Sequence, residues 1–246
     1  MKFALGTLAA LFSSAILSFS PVLAATVSFN QNLIINGDAE ADVGSSDGSP
    51  IGAVTGFAST VGNFTVVKYG AVISGFPLLS PTDPGPSGRG LNYFAGGPPA
   101  VSIAHQLIDI STIASSIDLG STRYQLSGFL GGWGNQGDNV VVRANFLNSA
   151  NAPIGFAAIG PVRNVDRGNV TSLLPRLTEG DVPMGTRSID VSLAFTRTVG
   201  TYNDGFADNL SLTLAPVPVP AAIWLFGSGL AAVVGFARRK TNKVAS

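Results

Sequence analysis

The sequence predicts an all-β body, an antiparallel sandwich or barrel of one domain, lying between two apolar ends. Three observations predict it. Apolar and polar residues alternate with a period of two in several segments of residues 26–215, as in strands with one buried face. The same region holds 26 of the 30 glycines and no long amphipathic helical pattern. Hydrophobic residues make up 46% of the chain, which is ample for a packed core.

The first 25 residues are typical of a secretory signal peptide. Lys2 supplies the positive start, residues 3–19 are apolar, and Pro21 ends the run before the small residues Ala24 and Ala25. A retained N-terminal anchor is the alternative, but a proline followed by a small-residue site argues against it. We therefore expect signal peptidase to remove residues 1–25 during export.

Strand patterns then recur along the body. They are clearest at 140–147, 188–196 and 209–214, where every second residue is apolar. Weaker patterns predict strands at 33–36, 64–69, 101–110 and 124–130. Residues 111–118 fit a single helical turn, and the proline-rich residues 74–90 predict a long surface loop.

Composition excludes several classes of function. The body carries nine basic and 14 acidic residues, a net charge of −5, which does not resemble a nucleic-acid binder. The chain has no cysteine, so disulfides, cysteine metal sites and thiol nucleophiles are excluded. With His105 as the one histidine, a three-histidine metal site is excluded too.

Two short motifs match enzyme signatures without the required context. Residues 132–137 satisfy G-x-G-x-x-G, but a β pattern follows where a dinucleotide site needs a helix, so we predict a glycine-rich hairpin loop. Residues 44–48 satisfy G-x-S-x-G within a polar run that lacks the strand and helix of a nucleophile elbow. His105, the base that such a serine would require, lies in a predicted strand.

The C-terminus carries an uncharged stretch at residues 221–237. As a helix it would be about 26 Å long, near the lower limit for crossing a bilayer. Basic residues after it should remain cytoplasmic, which places the body outside and agrees with the signal peptide. The residues flanking the stretch are Val217, Pro218, Val219 and Pro220 before it, and Arg238, Arg239 and Lys240 after it.

This tail resembles the PEP-CTERM sorting tail of Gram-negative bacteria. The resemblance rests on the proline motif, on Trp-Leu-Phe-Gly-Ser-Gly-Leu at 224–230 and on Ala-Arg-Arg-Lys at 237–240. Val219 stands where the family usually has Glu. The resemblance implies that residues 216–246 are a sorting tail, recognised by an exosortase that removes the helix. The protein would pass through the inner membrane to the cell surface or the extracellular matrix of an exopolysaccharide-producing bacterium. A permanent C-terminal anchor is the alternative.

The body resembles the galactose-binding-like jelly-roll modules at both of its edges. Asn-Leu-Ile-Ile-Asn-Gly-Asp-Ala-Glu at 32–40 is similar to their opening strand, and residues 205–212 are similar to their closing strand. The resemblance implies one jelly-roll-type β-sandwich over residues 26–215. That family includes carbohydrate-binding modules and domains without a known ligand, so the fold alone does not settle function.

The same resemblance implies a structural calcium ion near the meeting point of the first and last strands. Calcium takes six to eight oxygen ligands. Glu40 and Asp208 match the motif positions, and Asp38 or Asp204 could assist. The alternative is ordinary turn chemistry, in which Asp and Asn bond to nearby backbone, and residues 203–205 (Asn-Asp-Gly) are a hairpin signal. We expect no other cofactor.

Three aromatic residues beside predicted turns are candidates for stacking on a sugar ring: Trp133, Tyr93 and Tyr202. Phe94 lies beside a turn as well. The alternative is that these rings close the end of a hydrophobic core, as large aromatic residues usually do.

These observations predict an exported, non-enzymatic surface protein that associates with exopolysaccharide. A purely structural anchored domain without a glycan site is the first alternative, and it requires Trp133 to be buried. An extracellular glycoside hydrolase is the second, and it requires two carboxylates that converge on one cleft.

Overall fold

Two five-stranded antiparallel sheets form a sandwich in the computed structural model, which describes residues 27–217. This confirms the predicted all-β sandwich. The predicted signal peptide, the apolar stretch 221–237 and six residues of the sorting motif lie outside the described residues; the six are Pro218, Val219, Pro220, Arg238, Arg239 and Lys240. Within residues 27–217, no helix has the length and apolarity that crossing a membrane requires.

Sheet A has the strand order β10-β7-β12-β5-β2, and sheet B has the order β1-β6-β11-β8-β9. A two-stranded hairpin, β3-β4, lies apart from both. The strands are β1 (Ala58–Val61), β2 (Thr65–Lys68), β3 (Val72–Ile73), β4 (Phe76–Pro77), β5 (Asn92–Gly97), β6 (Val101–Asp109), β7 (Thr122–Gly132), β8 (Asn139–Leu147), β9 (Pro153–Ile159), β10 (Ser172–Asp181), β11 (Ser188–Thr196) and β12 (Asn203–Pro216). One short helix, α1 (Ala114–Asp118), follows a 3-10 turn at Ser111–Ile113, as the sequence predicts.

The chain crosses between the sheets at nearly every connection. From β5 to β12, each connection passes to the opposite sheet except the β8–β9 hairpin. Crossings of this kind are characteristic of jelly-roll sandwiches. The last strand, β12, therefore lies at the centre of sheet A, between β7 and β5.

The predicted alternation places the main core between the sheets. Alternate residues of β11 are fully buried there, from Ile189 to Phe195, and those of β8 and the second half of β12 lie against them. Phe64 stacks on Phe195 with 5.7 Å between ring centroids, which joins the loop before β2 to β11. The alternation with a period of two therefore predicted correctly which face of each of these strands is buried.

The predicted strand at residues 33–36 is wrong. The segment forms turns, with a positive φ angle at Asn36 within it and at Asn30 and Ala39 on either side, all outside the β region. It is nevertheless bonded along β12. The Asn32 side chain donates to the Leu210 carbonyl at 3.0 Å and accepts from the Leu212 amide at 3.0 Å, so one amide side chain replaces part of a strand ladder.

A second apolar cluster lies on the outer face of sheet A. Tyr93 and Phe206 project from the sheet, and Leu79 covers them from the segment between β2 and β5. Leu78 and Leu79 are buried, so the predicted surface loop 74–90 is in part a packed cover. Strand β5 is buried on both faces, between the two clusters, and its sequence therefore shows no alternation from which a strand could be predicted.

The hairpin predicted at residues 132–137 is wrong, and the hairpin signal at residues 203–205 does not form a hairpin either. Residues 132–137 do form a loop, but the loop joins β7 of sheet A to β8 of sheet B. Residues 203–205 are the first residues of β12. A hairpin signal is local, whereas the partner of each strand here is set by the packing of the two sheets.

The sandwich has two distinct ends. The tryptophan end comprises the loops at 133–138, 160–171 and 197–202. The tail end comprises residues 110–121, 148–152 and 182–187 and the last described residue, Val217. Val217 donates its amide to the Ser121 carbonyl at 2.9 Å, which fixes the departure point of the C-terminal tail.

Candidate functional site

Trp133 lies in the loop at the tryptophan end and is partly buried against the second cluster. Its indole Nε1 donates to the Pro77 carbonyl at 2.9 Å. The loop itself is held from below by Arg167, which is almost fully buried and donates to the carbonyls of Gly134 at 3.1 Å and Gln136 at 3.0 Å. The Trp133 ring therefore acts in part as a cover for the core, as the alternative interpretation requires.

Tyr202 and Tyr93 differ in exposure. Tyr202 is partly buried, and its hydroxyl donates to the Gly48 carbonyl at 3.0 Å. Burial raises the pKa of that hydroxyl. Tyr93 has no exposed surface and packs between Tyr69 and Phe206, with ring centroids 4.9 and 5.1 Å away. Tyr93 is therefore unable to stack on a sugar, and so is Phe94, which is also fully buried.

The predicted calcium ligands are occupied by protein donors. Glu40 accepts the amides of Leu91 and Asn92 through Oε1, each at 2.8 Å. Asp38 accepts the Glu40 amide at 3.3 Å. Asp208 is fully buried and accepts the Tyr69 hydroxyl at 2.6 Å.

In the described part of the chain, no three His, Cys, Asp or Glu side chains are grouped so that they could hold a metal ion. The buried Oδ1 of Asn92, which lies near Glu40, has no hydrogen-bond partner. One amide oxygen does not complete the coordination shell of a calcium ion. As placed, Glu40, Asp208 and Asp38 do not fit the ion, and calcium stays a prediction.

Two buried carboxyl groups of β12 have raised pKa values. Burial raises the pKa of Asp208 to about 7, against the opposing effect of the Tyr69 hydrogen bond. Burial also raises the pKa of Asp204 to about 7, and the nearby Asp138 adds to the shift. Asp138 accepts the amides of Thr198 at 2.6 Å and Asp204 at 3.0 Å, so it ties the loop after β11 to the start of β12.

The structure shows a further polar surface that the sequence did not predict. It lies on the outer face of sheet B, and we call it the His105–Phe156 network. Nδ1 of His105 on β6 is 3.1 Å from both carboxylate oxygens of Asp190 on β11. Nδ2 of Asn145 on β8 donates to Asp190 at 3.4 Å. Nε of Arg143 on β8 donates to Asn145 at 2.7 Å, and its guanidinium carbon is 3.7 Å from the centroid of the Phe156 ring on β9.

Strand register brings these five side chains together. Asp190 pairs directly with Asn145, and Asn145 pairs with Phe156. Ser192, the neighbour of both His105 and Arg143, is small, so it does not cover the larger side chains beside it. The sequence carries part of the signal, because Arg143, Asn145 and Asp190 occupy outward positions of clearly alternating strands. The cross-strand register that joins them is set by the fold.

The network combines polar groups that could bind a polar ligand with an exposed aromatic ring of its own. The Phe156 ring is 58% exposed. Within residues 27–217, Arg143 donates to protein through Nε alone, which leaves its terminal nitrogens available. Arginine, carboxylate and amide groups in a fixed plane can bond to hydroxyl groups, and an aromatic ring can pack against apolar C–H surface.

Several solved structures are similar to this chain. The enzymatically active domain of bacteriophage CBA120 tailspike protein 4 aligns with 76% of this chain at 13% identity and a TM-score of 0.43, and the chain spans about a fifth (21%) of that structure. The CBM22-1 xylan-binding domain from Paenibacillus barcinonensis aligns at 9% identity and a TM-score of 0.38, over 68% of this chain and 90% of that one.

The CBM22-1–GH10 modules of a Clostridium thermocellum endo-1,4-beta-D-xylanase, complexed with xylohexaose, align at 13% identity and a TM-score of 0.38, over 67% of this chain and 27% of that one. No protein-family model matches the sequence, and no curated protein matches it. At these identities and TM-scores, the likenesses assign neither a family nor a ligand to this chain.

Proposed function

We propose that this chain is an exported, non-enzymatic surface protein whose β-sandwich binds a glycan on the outer face of sheet B. The His105–Phe156 network carries the proposal. It places an exposed ring beside four polar side chains on a face that no described segment covers. The exopolysaccharide of the producing cell is the glycan that the export signals favour, because the PEP-CTERM-like tail is typical of exopolysaccharide-producing bacteria.

The network is already ordered before a ligand arrives. Asn145 is fixed from two sides, by Asp190 at 3.4 Å and by Arg143 at 2.7 Å. The contact with Phe156 in turn holds the Arg143 guanidinium against the sheet. Side chains that are held in place lose little conformational entropy when a ligand binds, so such a surface favours affinity.

Export and sorting form the second part of the proposal. We infer that residues 1–25 direct secretion, that residues 221–237 insert in the inner membrane, and that an exosortase then releases the body to the surface. The sequence of the two ends supports this part. The intact mass of the mature protein from its own host, taken with cell fractionation, tests it. A product still carrying residues 221–240 in the inner membrane would contradict exosortase sorting.

A purely structural role is the alternative that one observation favours. Trp133 is partly buried, and its N–H is used by Pro77, so the predicted tryptophan platform is not freely available. A glycoside hydrolase has less support, because the neighbouring acids Asp138 and Asp204 are both buried.

Affinity electrophoresis in gels containing the host exopolysaccharide tests glycan binding. We expect Phe156→Ala to weaken retention about tenfold, equivalent to ~1.4 kcal/mol, because it removes the one exposed ring of the network. We expect Arg143→Ala to weaken it similarly. Phe76→Ala is the matched control, since the Phe76 ring is also well exposed but projects from the β3–β4 hairpin.

The outcome separates the candidates. Loss of retention in Trp133→Ala, with Phe156→Ala unaffected, would move the site to the tryptophan end. An absence of retention for the unaltered protein would favour the purely structural role.

A further inference from the structure

The tail end of the sandwich is the place where the C-terminal segment leaves the body. The Val217 amide is bonded to the Ser121 carbonyl at 2.9 Å, so the chain is held against the body up to its last described residue. The N-terminal segment reaches the same end, since the Asn30 amide donates to the Leu214 carbonyl at 2.8 Å. The tryptophan end lies at the opposite ends of the same strands.

Very little chain separates the body from the predicted membrane segment. Residues 218–220 are the only ones between Val217 and residue 221. Even fully extended, this connection spans at most about 14 Å. When residues 221–237 are inserted in a bilayer, the tail end is therefore the part of the body that faces the bilayer surface, at close range.

The surface at the tail end carries exposed apolar residues that the fold leaves without a partner. Leu119 is 81% exposed and Met184 is 69% exposed. They lie on two segments joined by Asp118, whose Oδ1 accepts the Gly185 amide at 3.1 Å. Leu119 is two residues from Ser121, the partner of Val217. Met184 is next to Gly185, which also lies beside the exposed Ile154.

The net charge of this end is small. Asp118 is the one acidic residue in segments 110–121, 148–152 and 182–187, and it is neutralised by a salt bridge to Arg187 at 2.8 Å. Asp181, at the end of β10, lies 3.6 Å from Arg123. Asp109, exposed at the end of β6, has no salt bridge among the described residues, so Arg123 and Arg187 offset two of the three carboxylates at this end. The end next to the tail therefore carries only a small part of the body's net charge of −5, which limits its repulsion from lipid phosphates.

We propose that the tail end docks on the membrane surface, with Leu119 and Met184 in the lipid interface, while residues 221–237 span the bilayer. The inference rests on the membrane insertion contained in the proposed function. Apolar side chains beside arginine enter an interface to a depth of about 5–10 Å. Docking at this end points the tryptophan end away from the membrane and leaves the His105–Phe156 network open on the flank of the sandwich.

The absence of cysteine from the chain makes a direct test possible. The full chain is reconstituted in vesicles of phosphatidylethanolamine and phosphatidylglycerol, with one nitrobenzoxadiazole label at Leu119→Cys or Met184→Cys. Val165→Cys and Val199→Cys are the matched controls, since both valines are well exposed at the tryptophan end. A label at Gly229→Cys reports whether the tail has inserted. Lipids carrying a nitroxide near the headgroup and at mid-chain are the quenchers.

We expect the headgroup nitroxide to quench the labels at 119 and 184 by about half or more, the level typical of an interfacial position, and to leave those at 165 and 199 nearly unchanged. We expect the mid-chain nitroxide to quench the label at 229. If the label at 229 is quenched but those at 119 and 184 are not, docking is wrong while tail insertion stands. The same conclusion follows if all four body positions are quenched equally. An absence of quenching at 229 overturns tail insertion and, with it, the docking that depends on it.

Discussion

Among single residues, the buried carboxyl groups of β12 have the clearest consequence in solution. Asp204 and Asp208 each have a pKa raised to about 7, chiefly by burial. In the unfolded chain the same groups titrate near 4. Between these values the folded protein binds more protons than the unfolded chain does, so the free energy of unfolding falls as the pH rises.

We therefore expect stability to be greatest near pH 4.5, to decrease toward pH 7 and to level off above it. Each group contributes a slope of up to about 1.4 kcal/mol per pH unit. Urea unfolding at a series of pH values, with a chelator present, measures the slope. Asp204→Asn and Asp208→Asn should each flatten it. Asp118 has the opposite effect on the free energy of unfolding, because its hydrogen bond with Arg187 lowers its pKa. That effect appears only in more acidic solution, where Asp118 becomes protonated. A free energy of unfolding that rises from pH 4.5 to 7 would contradict the assignment.

The Asn32 side chain makes hydrogen bonds to β12 that a neighbouring strand would otherwise make. It donates to Leu210 and accepts from the Leu212 and Ile34 amides, each at 3.0 Å. Asn32→Ala would leave the Leu210 carbonyl and the Leu212 amide without these partners.

We expect Asn32→Ala to lower the free energy of unfolding by about 1–3 kcal/mol. Thermal unfolding followed by circular dichroism measures the loss. Asn135→Ala is a control, because Asn135 is exposed in the loop between β7 and β8, has a negative φ, and should change stability by less than about 0.5 kcal/mol.

At the scale of elements, the segment between β2 and β5 is a packed cover over the outer face of sheet A. Leu79 has no exposed surface and lies against Tyr93 and Phe206 in the second cluster. The segment is also fixed by Arg89, which donates to the carbonyls of Ser80 at 3.1 Å and Asp83 at 2.9 Å.

Leu79→Ala should lower the free energy of unfolding by about 2–5 kcal/mol, because it opens a cavity in this cluster. Leu91→Ala, at the exposed far end of the same segment, should cost less than about 0.5 kcal/mol. Chemical denaturation of both variants compares them. Equal, small effects would show that the segment is a loosely attached loop.

The elements also show how far the sequence could predict this fold. Strands β8 and β11 have one face inside and one outside, so alternation predicted them to within a residue. Strand β5 has both faces covered, and β10 is an edge strand interrupted by Pro175, so neither shows alternation. The sequence could not rank the candidate site residues by exposure, for a different reason. Trp133 and Tyr93 could be named from their turns, but exposure depends on which segment covers which face, and Asp190 meets His105 only through cross-strand register.

For the whole molecule, the stability of sheet A depends most on its central strand, β12. Strand β12 pairs with β7 on one side and β5 on the other, and it supplies Leu210, Leu212 and Leu214 to the main core. The segment at residues 30–37 is bonded along it as well, through Asn30, Leu33 and Gly37.

A chain that ends at residue 202 should therefore have no cooperative unfolding transition, because sheet A would be split between β7 and β5. A chain that ends at Val217 should unfold cooperatively, since it retains β12 and the bond to Ser121. Circular dichroism during heating separates the two. A cooperative transition in the shorter chain would show that sheet B and the remaining strands suffice.

The central position of β12 also has a consequence for the proposed export. A chain threaded N-terminus first through a translocation channel delivers β7 and β5 to the far side long before the strand that must lie between them. The two halves of sheet A have no partner until residues 203–216 emerge. In the proposed export, sheet A would therefore be completed only as the tail enters the channel, and the part of the chain already delivered would not fold cooperatively before then.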